Sequence, residues 1–149
     1  SVENRFTAFT EDEMDGLIES LKRADLVVGF NIKRFDYGVL RAYTNVDLME
    51  LPTFDILEHV FQRLGFRLGL DHLAKETLNK AKSADGLQAL EWYKQGEMKR
   101  LTEYCRKDVE VTRDLFQYGL DQGQLIYRTK REDRRVILRV DWDLDVMLD

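Results

Sequence analysis

Two short segments place chemistry-bearing side chains at a fixed spacing. Asn31-Ile32-Lys33-Arg34-Phe35-Asp36 directly follows Leu26-Val27-Val28-Gly29-Phe30, an apolar run of strand length. Ligands of open α/β sheets bind beyond the carboxyl ends of strands, so Asn31 and Asp36 fall where a site is expected. Asp36 belongs in the first turn of the next helix, pointing back over the strand end. The second segment, Tyr104-Cys105-Arg106-Lys107-Asp108, lies in a long helical stretch. Residues four apart share a helical face, so Tyr104 and Asp108 converge on one point. Converging carboxylates are the means by which an acidic enzyme holds divalent metals. Taken singly, each segment also has a plain structural meaning. Asn31 is a good turn residue and Asp36 favours a helix N-terminus. Tyr104 can simply pack, with Asp108 solvated among Glu103, Arg106, Lys107 and Glu110.

The elements that must position these residues follow from patterning. Arg5 to Phe9 alternates polar and apolar side chains, which predicts a short strand. Thr10 and Glu13 form a capping box, and Met14, Leu17, Ile18 and Leu21 recur at helical spacing up to about Ala24. The unbroken apolar run from Leu26 predicts a strand buried on both faces, as in a parallel sheet. A helix near 34–43 follows, with Phe35, Val39 and Leu40 on its apolar side. Thr53 to Leu57 is another short apolar piece. Helices are then expected at 70–78, 86–94 and from Glu97 to about Leu120. In the last of these, Met98, Leu101, Cys105, Val109, Thr112 and Phe116 make the inward stripe. Gln124–Arg128 and Arg135–Trp142, flanking Lys130-Arg131-Glu132-Asp133, predict a β-hairpin. The order implies an α/β fold with a helical C-terminal half.

Composition bounds the function class. With 149 residues, 44% hydrophobic and 34% charged, the chain suits one domain with one core. No apolar run nears the roughly 18 residues of a membrane span, and no signal peptide is visible. The single cysteine, Cys105, excludes a disulfide scaffold and a cysteine-based zinc site, and fits a reducing, cytoplasmic setting. A net charge of −5 argues against holding nucleic acid by bulk positive charge.

Together the two segments resemble a known superfamily. A buried strand ending in Asn-x-x-x-Phe-Asp, and far downstream a helix bearing Tyr-x-x-x-Asp, are similar to the second and third motifs of the DnaQ-like (DEDD, tyrosine-type) 3′–5′ exonucleases. Those proteins have an RNase H-like fold. Thr53-Phe54-Asp55-Ile56-Leu57 and Tyr104-Cys105-Arg106-Lys107-Asp108-Val109-Glu110 agree, and the nearest resemblance is to proofreading-exonuclease-like domains of family B DNA polymerases. The resemblance covers residues 5–122, with a hairpin and tail at 123–149 completing one domain. It implies a two-metal phosphodiesterase using Mg²⁺ or Mn²⁺, in which Asp36 and Asp108 are metal ligands and Tyr104 orients the attacking water. Asn31, Lys33, Arg34 and Phe35 would contact the nucleic acid, with DNA preferred to RNA, and the product is a 5′-mononucleotide.

One part of the pattern is missing. The first motif, Asp-x-Glu on a central strand, should supply two further carboxylates. The only Asp-x-Glu in the sequence is Asp108-Val109-Glu110, on a helix, where i and i+2 diverge. The acidic Glu11-Asp12-Glu13 suits a capped, solvated helix start, and Asp141, Asp143 and Asp145 suit a solvated strand face opposite Val140, Trp142, Leu144 and Val146. The expectation is an RNase H-like domain lacking its N-terminal strand or strands. The 149 residues alone should then be inactive, and an unpaired apolar strand edge should drive self-association. The alternative is a non-catalytic nucleic-acid-binding or scaffold module, attached to a helicase; a polymerase setting is the other context the resemblance suggests.

The hairpin gathers Arg128, Lys130, Arg131, Arg134, Arg135 and Arg139 against Glu132 and Asp133, an excess of four positive charges. This fits contact with a nucleic-acid backbone and equally a hairpin whose arginines block edge-to-edge pairing. Trp92 and Tyr93 can stack on bases or belong to the core.

Overall fold

The structure is a computed structural model and describes residues 5–80 and 86–148. Thr10 and Glu13 close the expected capping box: the Glu13 carboxylate accepts the Thr10 backbone N–H at 3.2 Å and its hydroxyl at 2.8 Å. Helix α1 (Met14–Arg23) follows and ends at Ala24. Its Met14, Leu17 and Leu21 pack on a core of Val27, Ile32, Tyr37, Leu40 and Leu48. Strand β1 (Val27–Gly29) pairs in parallel with β2 (Thr53–Asp55), Val28 opposite Phe54. At the end of β1 a Cβ on Gly29 would meet the Ile32 Cβ at 2.8 Å, so glycine lets the chain turn tightly into the next segment.

That segment is a π-helical turn, Ile32–Asp36, which continues as α2 (Tyr37–Leu40). Helix α3 (Ile56–Leu64) leaves β2 directly. Helix α4 (Leu70–Leu73) runs into a second π-helical turn, Ala74–Leu78. Helices α5 (Gly86–Lys94) and α6 (Met98–Gln122) pack together, and α6 leads through Gly123 into the hairpin of β3 (Gln124–Arg128) and β4 (Arg135–Arg139). A short α7 (Leu144–Leu148) ends the described chain. The fold is thus mixed α/β, mostly helical, with small sheets and an antiparallel C-terminal hairpin. A second core joins Ile56, Val60, Leu73, Leu115, Leu125, Leu138, Val140 and Trp142. Among the described residues, no helix is long and apolar enough to cross a membrane.

The outer edge of β3 is closed by side chains instead of a strand. The Thr77 hydroxyl donates to the Ile126 carbonyl and accepts the Ile126 N–H, both at 2.9 Å. His72 Nε2 accepts the Arg128 N–H at 3.0 Å. Ladder groups that could template pairing with another chain are thereby satisfied.

Four expectations are corrected. Residues 5–9 form no strand. Phe6 lies under Arg106 and Phe9 against Gly16, so this segment's side chains contact helices and no ladder partner is present among the described residues. In the second helix Phe35 and Val39 are exposed, and Ile32, Tyr37 and Leu40 point inward. The cause is the π-turn: the Tyr37 N–H bonds the Ile32 carbonyl five residues back, so one extra residue shifts the inward register. In α6 Met98, Cys105 and Val109 are exposed, and the buried line is Val111, Leu115 and Gly119. Gly119 sets this rotation, because a Cβ there would run into the Trp142 ring. Lastly, the terminal strand stops at Arg139. Val140 and Trp142 still alternate inward, but Leu144 and Val146 are exposed on α7, so the three aspartates share no strand face.

Candidate active site

Asp55 organises the carboxyl ends of the parallel pair. It is buried, and its carboxylate accepts the backbone N–H groups of Asn31 at 2.8 Å, Lys33 at 3.1 Å and Glu58 at 3.3 Å. The last bond caps α3; the first two hold the start of the π-turn. Asn31 adopts a left-handed conformation (φ 60°), which asparagine tolerates better than most residues. β2 thereby fixes where the segment carrying Asp36 leaves β1. Asp55 was legible as an N-cap, since Asp55-Ile56-Leu57-Glu58 has the capping pattern, but its grip on Asn31 and Lys33 depends on strand pairing.

Asp36 closes the π-turn. Its side chain is open to solvent on one side, yet burial against the protein behind it, and then the nearby Asp55 charge, push its pKa up to about 6. Across from it, on α6, Tyr104 and Asp108 share a face as their spacing requires. The Tyr104 hydroxyl donates to the Asp108 carboxylate, and burial together with the charges of Asp108 and Asp71 holds the phenol above its usual range. Cys105 links the two halves. Cys105 is exposed on its outer side, but the protein packed behind its thiol, and then the charges of both Asp108 and Asp36, push the thiol up, so the two carboxylates bear on one neighbour. Tyr104 and Asp108 are in contact on α6, and Asp36 is linked to them through the charge that it and Asp108 both exert on Cys105.

The other positions divide. The Lys33 ammonium turns inward to Glu58 at 3.2 Å. Phe35 is exposed beside Asp36. Asn31 and Arg34 face a cleft of about 170 Å³ walled also by α3 and Arg67. Trp92 is half-buried, with its ring centroid 6.4 Å from that of Tyr104, and so backs the tyrosine; Tyr93 is exposed. Sequence reading missed Asp71, which bears on Tyr104 from α4, because nothing local ties residue 71 to residue 104.

The donor chemistry fits a hard divalent cation in kind. Asp36 and Asp108 are both oxygen donors, and Asp36 is made less acidic by burial and then by the Asp55 charge, a cost that a bound cation would relieve. In number the set is partial: among the described residues, no three His, Cys, Asp or Glu side chains form a group able to hold a metal.

Much of the hairpin's positive charge is already engaged. Arg128 pairs with Glu76 at 3.1 Å and Asp133 at 3.5 Å, Arg135 with Glu76 at 3.8 Å and Arg134 with Glu132 at 3.6 Å. Lys130, Arg131 and Arg139 have no ion pair among the described residues and are exposed. The first role of the arginines is thus to pin the hairpin to the α4 segment.

No curated protein matches the chain, and no solved structure does. The model of the RNase_H_2 family, described as RNase_H superfamily, matches residues 3–119, a span that includes both motif segments and stops short of the hairpin.

Proposed function

The chain belongs to the RNase_H_2 family of the RNase H superfamily, and from that premise we propose that it forms the body of a metal-dependent 3′–5′ exonuclease of the DnaQ-like, tyrosine-type kind. The family has a nuclease-type fold, and RNase H-like nucleases generally use divalent metals. What supports the finer reading is the hydrogen bond of Tyr104 to Asp108, together with the charge that Asp108 and Asp36 both exert on Cys105.

In this reading Asp36 and Asp108 would hold Mg²⁺ or Mn²⁺, which when bound would supply positive charge for an in-line displacement at phosphorus. Tyr104, kept neutral by burial and by its acidic neighbours, orients the attacking water through its hydroxyl. Asn31 and Phe35 border the place of the terminal nucleotide, and the product is a 5′-mononucleotide, with DNA the preferred substrate. The reading needs two more carboxylates in an Asp-x-Glu strand, a pattern found in these 149 residues only at Asp108-Val109-Glu110.

The test is a 3′-end-resection assay on single-stranded and 3′-recessed oligonucleotides with Mg²⁺ or Mn²⁺. It uses the 149-residue chain and, as the full-length protein that the proposal requires, a gene product that carries an Asp-x-Glu strand. The full-length protein should degrade the strand from its 3′ end, Asp108→Ala and Asp36→Ala should abolish this, and Tyr104→Phe should lower turnover by at least about tenfold. Unchanged turnover in Asp108→Ala would overturn the assignment. Strand binding without cleavage by the full-length protein would favour the scaffold reading.

A further inference from the structure

The cleft beyond the carboxyl ends of β1 and β2 contains two arginines that form no ion pair among the described residues. Its wall includes Asn31 and Arg34 from the π-turn, Leu57, Glu58 and Phe61 from α3, and Arg67 beyond it. Both acids at its edge are already occupied. Asp55 is held by three backbone N–H groups, and Glu58 pairs with Lys33. Arg34 and Arg67 have no carboxylate partner among the described residues. The Arg67 guanidinium lies over the Phe61 ring, 5.8 Å from its centroid, and that ring is 46% exposed. Phe61 is thus a large aromatic left partly open in the cleft wall.

An exposed ring with a guanidinium against it, and a second guanidinium nearby, is the chemistry that takes a nucleotide: base stacked on the aromatic, phosphate on the arginines. At about 170 Å³ the cleft is smaller than the pockets of about 300 Å³ or more that enclose drug-sized ligands, so it would take part of one nucleotide, with the base lying on the open Phe61 ring. Asp36, Tyr104 and Asp108 are not in its wall; the connection is Asp55, which lines the cleft, accepts the backbone N–H groups at the start of the turn that bears Asp36, and places its charge near Asp36. We propose that Phe61, Arg67 and Arg34 form a nucleotide subsite that grips part of one nucleotide of a single-stranded nucleic acid beside the exonuclease site. This rests on the proposed function for the identity of the strand, though not for its chemistry.

The experiment is fluorescence anisotropy of a 5′-fluorescein-labelled oligothymidylate with the 149-residue chain in EDTA, where no metal-dependent cleavage occurs. Phe61→Ala and Arg67→Ala should each weaken binding by about five- to tenfold or more. Arg67→Ala should also lower the slope of log K against log salt by about 0.7, a change that a purely structural role does not produce. Arg67→Lys should keep the slope and lose part of the affinity. Both side chains are exposed, and circular dichroism melts check that the variants fold; if Phe61→Ala melts early, Arg67→Ala and its salt slope decide. Wild-type affinity in both alanine variants, or no binding by the parent chain, would overturn the subsite. Competition by free dTMP as strong as by the oligonucleotide would overturn the assignment to a strand. Weakened binding in the variants together with no cleavage by the full-length protein would sink the exonuclease reading and leave the subsite standing.

Discussion

The Asp55 carboxylate accepts the backbone N–H of Asn31 at 2.8 Å, joining the end of one parallel strand to the left-handed residue that closes its neighbour. Through this bond and its partner to Lys33, a buried acid of β2 places the segment that bears Asp36.

Asp55→Ala should destabilise the chain by about 2–4 kcal/mol, because it strips three backbone donors of their acceptor and removes the α3 cap. Asp55→Asn keeps one oxygen acceptor and should cost roughly half as much. Urea denaturation gives the difference directly, and a loss within error of zero for Asp55→Ala would contradict the role.

Asp36 makes stability fall as pH rises. Its folded pKa, about 6, lies above the ordinary 3.8, so the folded state holds the proton more tightly than the unfolded chain does. The advantage is complete below about pH 3.8 and is lost as pH rises through about 6. Asp36→Asn should flatten the stability slope in that window, and Asp55→Asn should lower the Asp36 pKa by removing the like charge. Carboxyl NMR titration follows both, and an Asp36 midpoint near 4 would refute them.

Gly119→Ala should destabilise by about 1–3 kcal/mol despite alanine's better helix propensity, because its methyl group meets the Trp142 ring. Trp142 is locked from the other sides, stacked on Phe116 at 5.6 Å and edge-on to Phe54 at 5.0 Å. A second substitution, Trp142→Leu, should recover part of the loss, and thermal melts of the four-member cycle would expose the coupling.

Thr77→Val preserves shape but removes both bonds to Ile126, so it should cost about 1–3 kcal/mol and speed hydrogen exchange at the Ile126 amide. Thr77→Ser should restore protection. Exchange at Ile126 unchanged in Thr77→Val would mean that the edge is held by other groups.

β1 has no such cover among the described residues, where its only strand partner is β2. The isolated 149 residues should therefore associate through this edge. Light scattering at tens of micromolar should report a dimer or larger species, and a clean monomer would count against the idea.

Motif spacing and hydrophobic period determined much of this protein by themselves. The capped first helix, the parallel strand, the helices beyond residue 70, the hairpin and the pairing of Tyr104 with Asp108 are all local patterns, set by three- or four-residue repeats and turn chemistry. The same local logic misplaced Phe35 and Val39, because a π-turn inserts a residue that periodicity does not register. It also mis-rotated α6, whose orientation depends on the close approach of Trp142, distant in sequence, to Gly119. Only the tertiary structure decided the long-range relations. Asp55 reaches Asn31 through strand pairing, Asp36 and Asp108 both bear on Cys105 although they lie on different elements, and Arg34, Phe61 and Arg67 form one cleft through the turn that Asp55 holds. Contacts between residues far apart in the chain depend on how elements pack, and packing leaves no short-range pattern to read.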